Sequence, residues 1–146
     1  MHIAIGSDHA GFELKETLKE MLDLEDIECT DVGTDSKNES VDYPDFANSV
    51  ATLVAKGKAD YGVLICGSGI GMSIAANRYP KIRAALCNDG LTAELARQHN
   101  DANILCLGSR TLGSETAKRA LHRFLGTEFE GGRHQFRVEK LGKINS

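Results

Sequence analysis

No apolar run in this 146-residue chain approaches the ~20 residues that a bilayer crossing needs. The first residues, "MHIAIGSDHAG", lack the basic start and the long apolar stretch of a secretory signal, so a cytoplasmic protein with no membrane association is expected. A basic surplus is also missing. Lys and Arg number 17 against 21 Asp and Glu, a net charge of -4. That balance argues against a generic nucleic-acid binder, which must displace counterions from phosphates. The four cysteines, at 29, 66, 87 and 106, form no CxxC pair. A zinc or redox motif is therefore not expected, and the thiols should be free in a reducing compartment. There is no GxxxxGK[ST] motif, which excludes a P-loop. No repeat, low-complexity segment or interdomain linker interrupts residues 1–146. With 41% hydrophobic and 26% charged residues they read as one globular domain.

Short apolar runs recur at 2–6, 27–33, 61–66, 82–87 and 103–108. Most do not alternate, as suits parallel strands covered on both faces. Helical patterns lie between them. Leu14, Leu18, Met21 and Leu22 share one face, as do Phe46, Val50, Leu53 and Val54. Pro44 sits near the start of the second helix and Gly57 marks its stop. A third helix should begin near Gly69 and a fourth covers "LTAELARQHN". A fifth runs from Ser114, as N-cap, to Gly126, and a short sixth follows Gly131 and Gly132. Strand–helix alternation over the whole chain predicts an α/β fold, a three-layer α/β/α Rossmann-like sandwich on a five-stranded parallel sheet. Ligands in such sheets bind at the strands' C-terminal edge.

Two segments lie at that edge: "GSDHAGF", with Asp8 and His9, and "LICGSGIGMSIAANR", where Cys66 meets Gly67, Ser68, Gly69, Ile70 and Gly71. A third, "RQHND", with His99 and Asn100, ends a helix and so belongs to the opposite edge, a difficulty for a site built from one chain. The glycines carry part of a dinucleotide fingerprint, but Met72 stands where its third glycine is expected. Asp89 lies where a ribose-binding acid is sought, which keeps a nucleotide reading open. More generally, exposed amides before a helix favour a phosphate or a transient oxyanion. A cysteine near such a terminus has a lowered pKa and can attack carbon or abstract a proton. Its plain alternative is a buried strand-end thiol. Arg133 and Arg137 share one side of a helix and Arg110 follows the fifth strand; together they suit a small phosphorylated substrate. Each alone reads equally as a solvated charge.

The segments "GSDHAGFELK", "DYPDFA", "LICGSGIGMSIAANR", "RQHNDANILCLGSR" and "EGGRHQFRVEK" resemble the RpiB/LacAB sugar-phosphate isomerases, and within them the ribose-5-phosphate isomerase B family, over nearly the whole chain. The resemblance implies aldose–ketose isomerisation of ribose 5-phosphate and ribulose 5-phosphate, a step of the pentose phosphate pathway. It implies a cis-enediolate and neither cofactor nor metal. It assigns Cys66 as the base that takes the proton beside the carbonyl. Ser68 would shift the hydroxyl proton, and the amides of Gly67 to Gly71 would hold the enediolate charge. His99 with Asp8 would open the furanose ring, and Asn100 would bind developing negative charge. His9, Arg110, Arg133 and Arg137 would hold the phosphate, and Tyr43 would line the sugar site. Some relatives lack the cysteine and use a glutamate six residues further on. Met72 occupies that position and cannot take a proton. Ser68 stands where some relatives have threonine.

The resemblance also addresses the helix-end difficulty. It implies a homodimer with shared active sites, possible pairing into tetramers, and the tail 131–146 packed on the partner. Two other activities stay open: isomerisation of a six-carbon phosphate such as allose 6-phosphate or galactose 6-phosphate, and non-catalytic nucleotide or sugar-phosphate binding. The galactose enzymes of the family use two different subunits, and a single chain with the full residue set favours the ribose reaction.

Overall fold

The computed structural model describes residues 1–144. Five strands form one parallel sheet: β1 (His2–Ser7), β2 (Glu28–Asp31), β3 (Tyr61–Cys66), β4 (Ala84–Leu86) and β5 (Ile104–Gly108), in the order β2-β1-β3-β5-β4. Six helices accompany them: α1 (Phe12–Leu24), α2 (Tyr43–Ala55), α3 (Ile70–Ala76), α4 (Gly90–Asn100), α5 (Ser114–Gly126) and α6 (Arg133–Lys143). The expected α/β/α sandwich is the observed one. β4 is shorter than its apolar run because Ile82 and Arg83 are spent on turns and hydrogen bonds ahead of the strand.

Two cores sandwich the sheet. Ile3, Ile5, Val63, Ile65, Leu105 and Leu107 face α1, α4 and α5. Ala4, Leu64, Ile104 and Cys106 face α2 and α3. The alternation explains why the inner strands β3 and β5 are apolar on both sides, whereas the edge strand β2, Glu28-Cys29-Thr30-Asp31, is partly exposed. Met72 is fully buried in the second core. The α5 cap differs from expectation. Gly113, in extended backbone, holds the N-cap position and Ser114 is the first helical residue, with no side-chain cap bond. Neither core takes a residue from α6, which rests on α4 through the buried His134. Residues 145 and 146 of the tail lie outside the described residues.

Lys15 is a buried cation that helix periodicity did not reveal; it is 1% exposed. Its Nζ donates to Asp31 Oδ2 at 2.6 Å and to the Thr34 carbonyl at 2.8 Å. Lys19 donates to the same carboxylate oxygen at 2.9 Å. Burial pushes the Asp31 carboxyl up, but the bonds from Lys15, Lys19 and the Gly33 N–H outweigh it and hold the group below its ordinary range. A lowered folded value means that the carboxylate stabilises the fold above its unfolded pKa of ~3.9. That stabilisation fades as pH falls through the folded value. Asp31→Asn keeps an acceptor for Gly33 and leaves the buried Lys15 only Glu16, at 3.6 Å, as counter-charge. We expect a loss of about 2 kcal/mol at neutral pH. The gap from wild type, measured by urea unfolding, should narrow toward pH ~3.

Candidate active site

The chain runs from β1 to β2 on one side and to β3 on the other, so a switch-point crevice opens between β1 and β3. Registers pair Ser7 with Ile65 and Cys66 with Gly108, which aligns the ends of β1, β3 and β5. Cys66 is the last residue of β3 and is 5% exposed. Its Sγ accepts the Gly69 N–H at 3.2 Å. That bond fixes the position of the sulfur at the end of the strand. Gly69 reaches that position only because its φ is +76°, and a Cβ there would lie 2.9 Å from the Leu107 carbonyl carbon. Burial pushes the Cys29 and Cys87 thiols up to about 11 and raises Cys106 further still. Those three match the reading of plain hydrophobic cysteines.

The rest of the loop is strapped to β5. Ser109 N–H donates to the Cys66 carbonyl at 2.9 Å, and Arg110 N–H to the Gly67 carbonyl at 2.8 Å. The Arg110 guanidinium lies over Gly67, where a Cβ would come within 3.0 Å of Nη1. Ser68 Oγ accepts the Ile70 N–H at 3.2 Å, which leaves its own proton for another acceptor. Tyr43 packs its ring on Gly71: a Cβ there would stand 2.5 Å from Cζ. Ile70 is half-exposed beside them.

Asp8, buried after β1, accepts the Gly11 N–H at 3.1 Å and so fixes the entry into α1. His9 Nδ1 accepts the Val41 N–H at 3.2 Å. That bond assigns the ring proton to Nε2 and presents a neutral donor. One edge of the molecule thus collects Cys66, Gly67, Ser68, Gly69, Ile70, Gly71, Asp8, His9, Tyr43 and Arg110.

His99 and Asn100 end α4 at the opposite edge. The last turn is held by Asp101, in left-handed backbone at φ 48°. Its carboxylate takes Arg97 Nη1 at 2.8 Å and Arg83 Nη2 at 3.3 Å. The His99 ring stacks on His134, centroids 4.3 Å apart and planes inclined by 13°. Glu130 Oε1 stands 3.7 Å from His99 Nε2. Burial, then the neighbouring His99 and Arg133, lower the His134 pKa and keep that ring neutral. A cleft of about 330 Å³ is lined by His99, Asn100, His134, Arg137, Val138 and Leu141. Arg133 opens α6 beside it.

Among the described residues, no hydrogen bond, ion pair or cleft joins the two groups. Sequence reasoning passed over Glu130 and His134. Their one signal is position: they flank the Gly131–Gly132 turn that reverses the chain beside His99. Asp89 proves to be an ordinary helix cap, accepting the Thr92 N–H at 2.7 Å and its hydroxyl at 2.8 Å, which removes the support for a ribose-binding acid.

Residues 3–141 match the sequence model of a family described as ribose/galactose isomerase. The chain is 49% identical over 142 residues to ribose-5-phosphate isomerase B of Escherichia coli (strain K12), covering 97% of this chain and 95% of that one. The Clostridium thermocellum ribose-5-phosphate isomerase B structure superposes with a TM-score of 0.97 at 49% identity, covering 99% of this chain and 97% of that one. A Thermotoga maritima ribose 5-phosphate isomerase crystal structure gives a TM-score of 0.95 at 54% identity, with 97% of each chain covered.

Proposed function

The chain belongs to the ribose/galactose isomerase family, and on that premise we propose that it is an aldose–ketose isomerase interconverting ribose 5-phosphate and ribulose 5-phosphate. The observation that carries the reading is the Cys66 sulfur, held by the Gly69 N–H at the switch-point crevice. A base beside a carbonyl carbon needs a lone pair within about 3 Å of the proton and donors at the forming oxyanion. Cys66 would take that proton, and the amides of residues 67–71 would meet the enediolate charge. Ser68, with a hydroxyl proton to give, would shuttle between the two oxygens. The full burial of Met72 supports the thiol as base, since the position of the relatives' glutamate points into the core.

His9, through Nε2–H, and Arg110 would bind phosphate on one side; Arg133 and Arg137 would do so on the other. Ring opening would fall to His99 with Asp8, and Asn100 would bind developing negative charge. Tyr43 would wall the sugar pocket. Because these residues occupy opposite edges of one chain, the site requires two copies. We place the thiol loop of one against the α4 end and tail of the other. Exposed apolar side chains beside both halves favour that contact: Ile70, Ile74 and Leu86 near the loop, and Phe136, Leu141 and Ile144 on the tail. A dissolved intracellular dimer without nucleic-acid or membrane partners is the corresponding setting.

The test is ketose formation from ribose 5-phosphate after EDTA treatment, with allose 6-phosphate and galactose 6-phosphate in parallel. Activity on the pentose phosphate is expected to be the highest. Preference for a six-carbon substrate would overturn the assignment, and no turnover of any would leave a binding module. In the same assay Arg137→Ala should raise KM about tenfold or more with kcat little changed. An unchanged KM would remove Arg137 from the phosphate site.

A further inference from the structure

Away from the thiol loop, two imidazoles and a carboxylate converge. One ligand-capable atom from each of His99, Glu130 and His134 lies within 4.8 Å of the other two. The His99 and Glu130 side chains are 39% and 46% exposed, while His134 is buried; the His99 ring is stacked on that of His134 and must turn out of the stack for both to ligate one ion. Their backbones are already tied together. Glu130 N–H donates to the Gln98 carbonyl, and His134 N–H to the Gly131 carbonyl, both at 3.0 Å. Gly131 and Gly132, at φ 69° and 54°, turn the chain so that Glu130 and His134 approach His99 together. The separation of 3.7 Å between Glu130 and His99 is too long for a hydrogen bond, so the three atoms are gathered without satisfying one another.

Two histidines and one carboxylate with a fourth position open to water form a zinc ligand set. Ligand distances of about 2.0–2.2 Å require the atoms to close by somewhat more than an ångström, which rotation of the two exposed side chains supplies. Imidazole selects a borderline dication over magnesium or calcium. We propose that Zn²⁺ binds His99, Glu130 and His134, and that the bound ion inhibits isomerisation by occupying His99. The inhibition rests on the role given to His99 above; the binding does not. Arg133 and Arg137 repel a dication here, so the site is weaker than a closed four-ligand structural one.

The test titrates Zn²⁺ by calorimetry, and Co²⁺ by absorbance, into the full chain and into Cys66→Ala, which removes the thiol of the proposed base. One ion per chain is expected in both. Cobalt should show d–d bands without a sulfur-to-cobalt charge-transfer band. Glu130→Gln, exposed and nearly isosteric, and His134→Ala should each weaken binding by at least about tenfold. Absence of binding, undiminished binding in both variants, or a thiolate charge-transfer band overturns the site. In the wild type, Zn²⁺ should inhibit ribose 5-phosphate turnover at the concentration that fills the site, and EDTA should reverse it. Binding without inhibition upholds the metal site and counts against the role of His99.

Discussion

Cys66→Ala is expected to lower kcat by ~10²–10⁴-fold, the range for removing a positioned base. KM and thermal stability should stay near wild type. The sulfur ends a strand at the margin of the second core, 5% exposed, and Cys66→Ala removes a single atom, so the cavity left is small. The one hydrogen bond lost is the acceptor of the Gly69 N–H, a cost of about 1 kcal/mol. Steady-state kinetics with a parallel thermal melt separates the alternatives. Near-normal kcat in a folded variant removes Cys66 as base. A fall in kcat with a large drop in melting temperature assigns it a structural role instead.

The second large effect concerns two inactive proteins. Cys66→Ala lacks the thiol and His99→Ala lacks the imidazole proposed above to open the ring, so each alone should be nearly silent. If a site draws its thiol loop from one copy and its histidine from the other, a mixed dimer has one site with both defects and one intact. Random exchange makes half the dimers mixed, and the equimolar mixture should regain about a quarter of wild-type activity. Against a background reduced ~10²-fold or more, that recovery is unmistakable. No recovery after subunit exchange has been verified, by mass-tagged chains for example, places both residues in one chain's own site or in none.

The parallel sheet was readable because most strands are apolar runs between helical patterns, and the loop after β3 because a strand that ends in glycines must turn there. Element ends were less readable. Gly113, not Ser114, caps α5, a choice set by local backbone rather than by residue preference. Lys15 was invisible because its burial depends on Asp31 and Thr34, far along the chain. Glu130 and His134 escaped for the same reason: their meeting with His99 comes from a glycine turn and the packing of α6 on α4. The split of the site residues between two edges was foreseeable from the rule that strand and helix ends alternate, since "RQHND" ends a helix.

The terminal helix gives nothing to either apolar layer, yet it carries Arg133, His134 and Arg137. The stretch that builds the two cores therefore ends before this helix begins. If the tail holds phosphate and partner as proposed, it is constrained by those contacts rather than by either apolar layer. Sequence drift there should register in turnover long before it registers in melting.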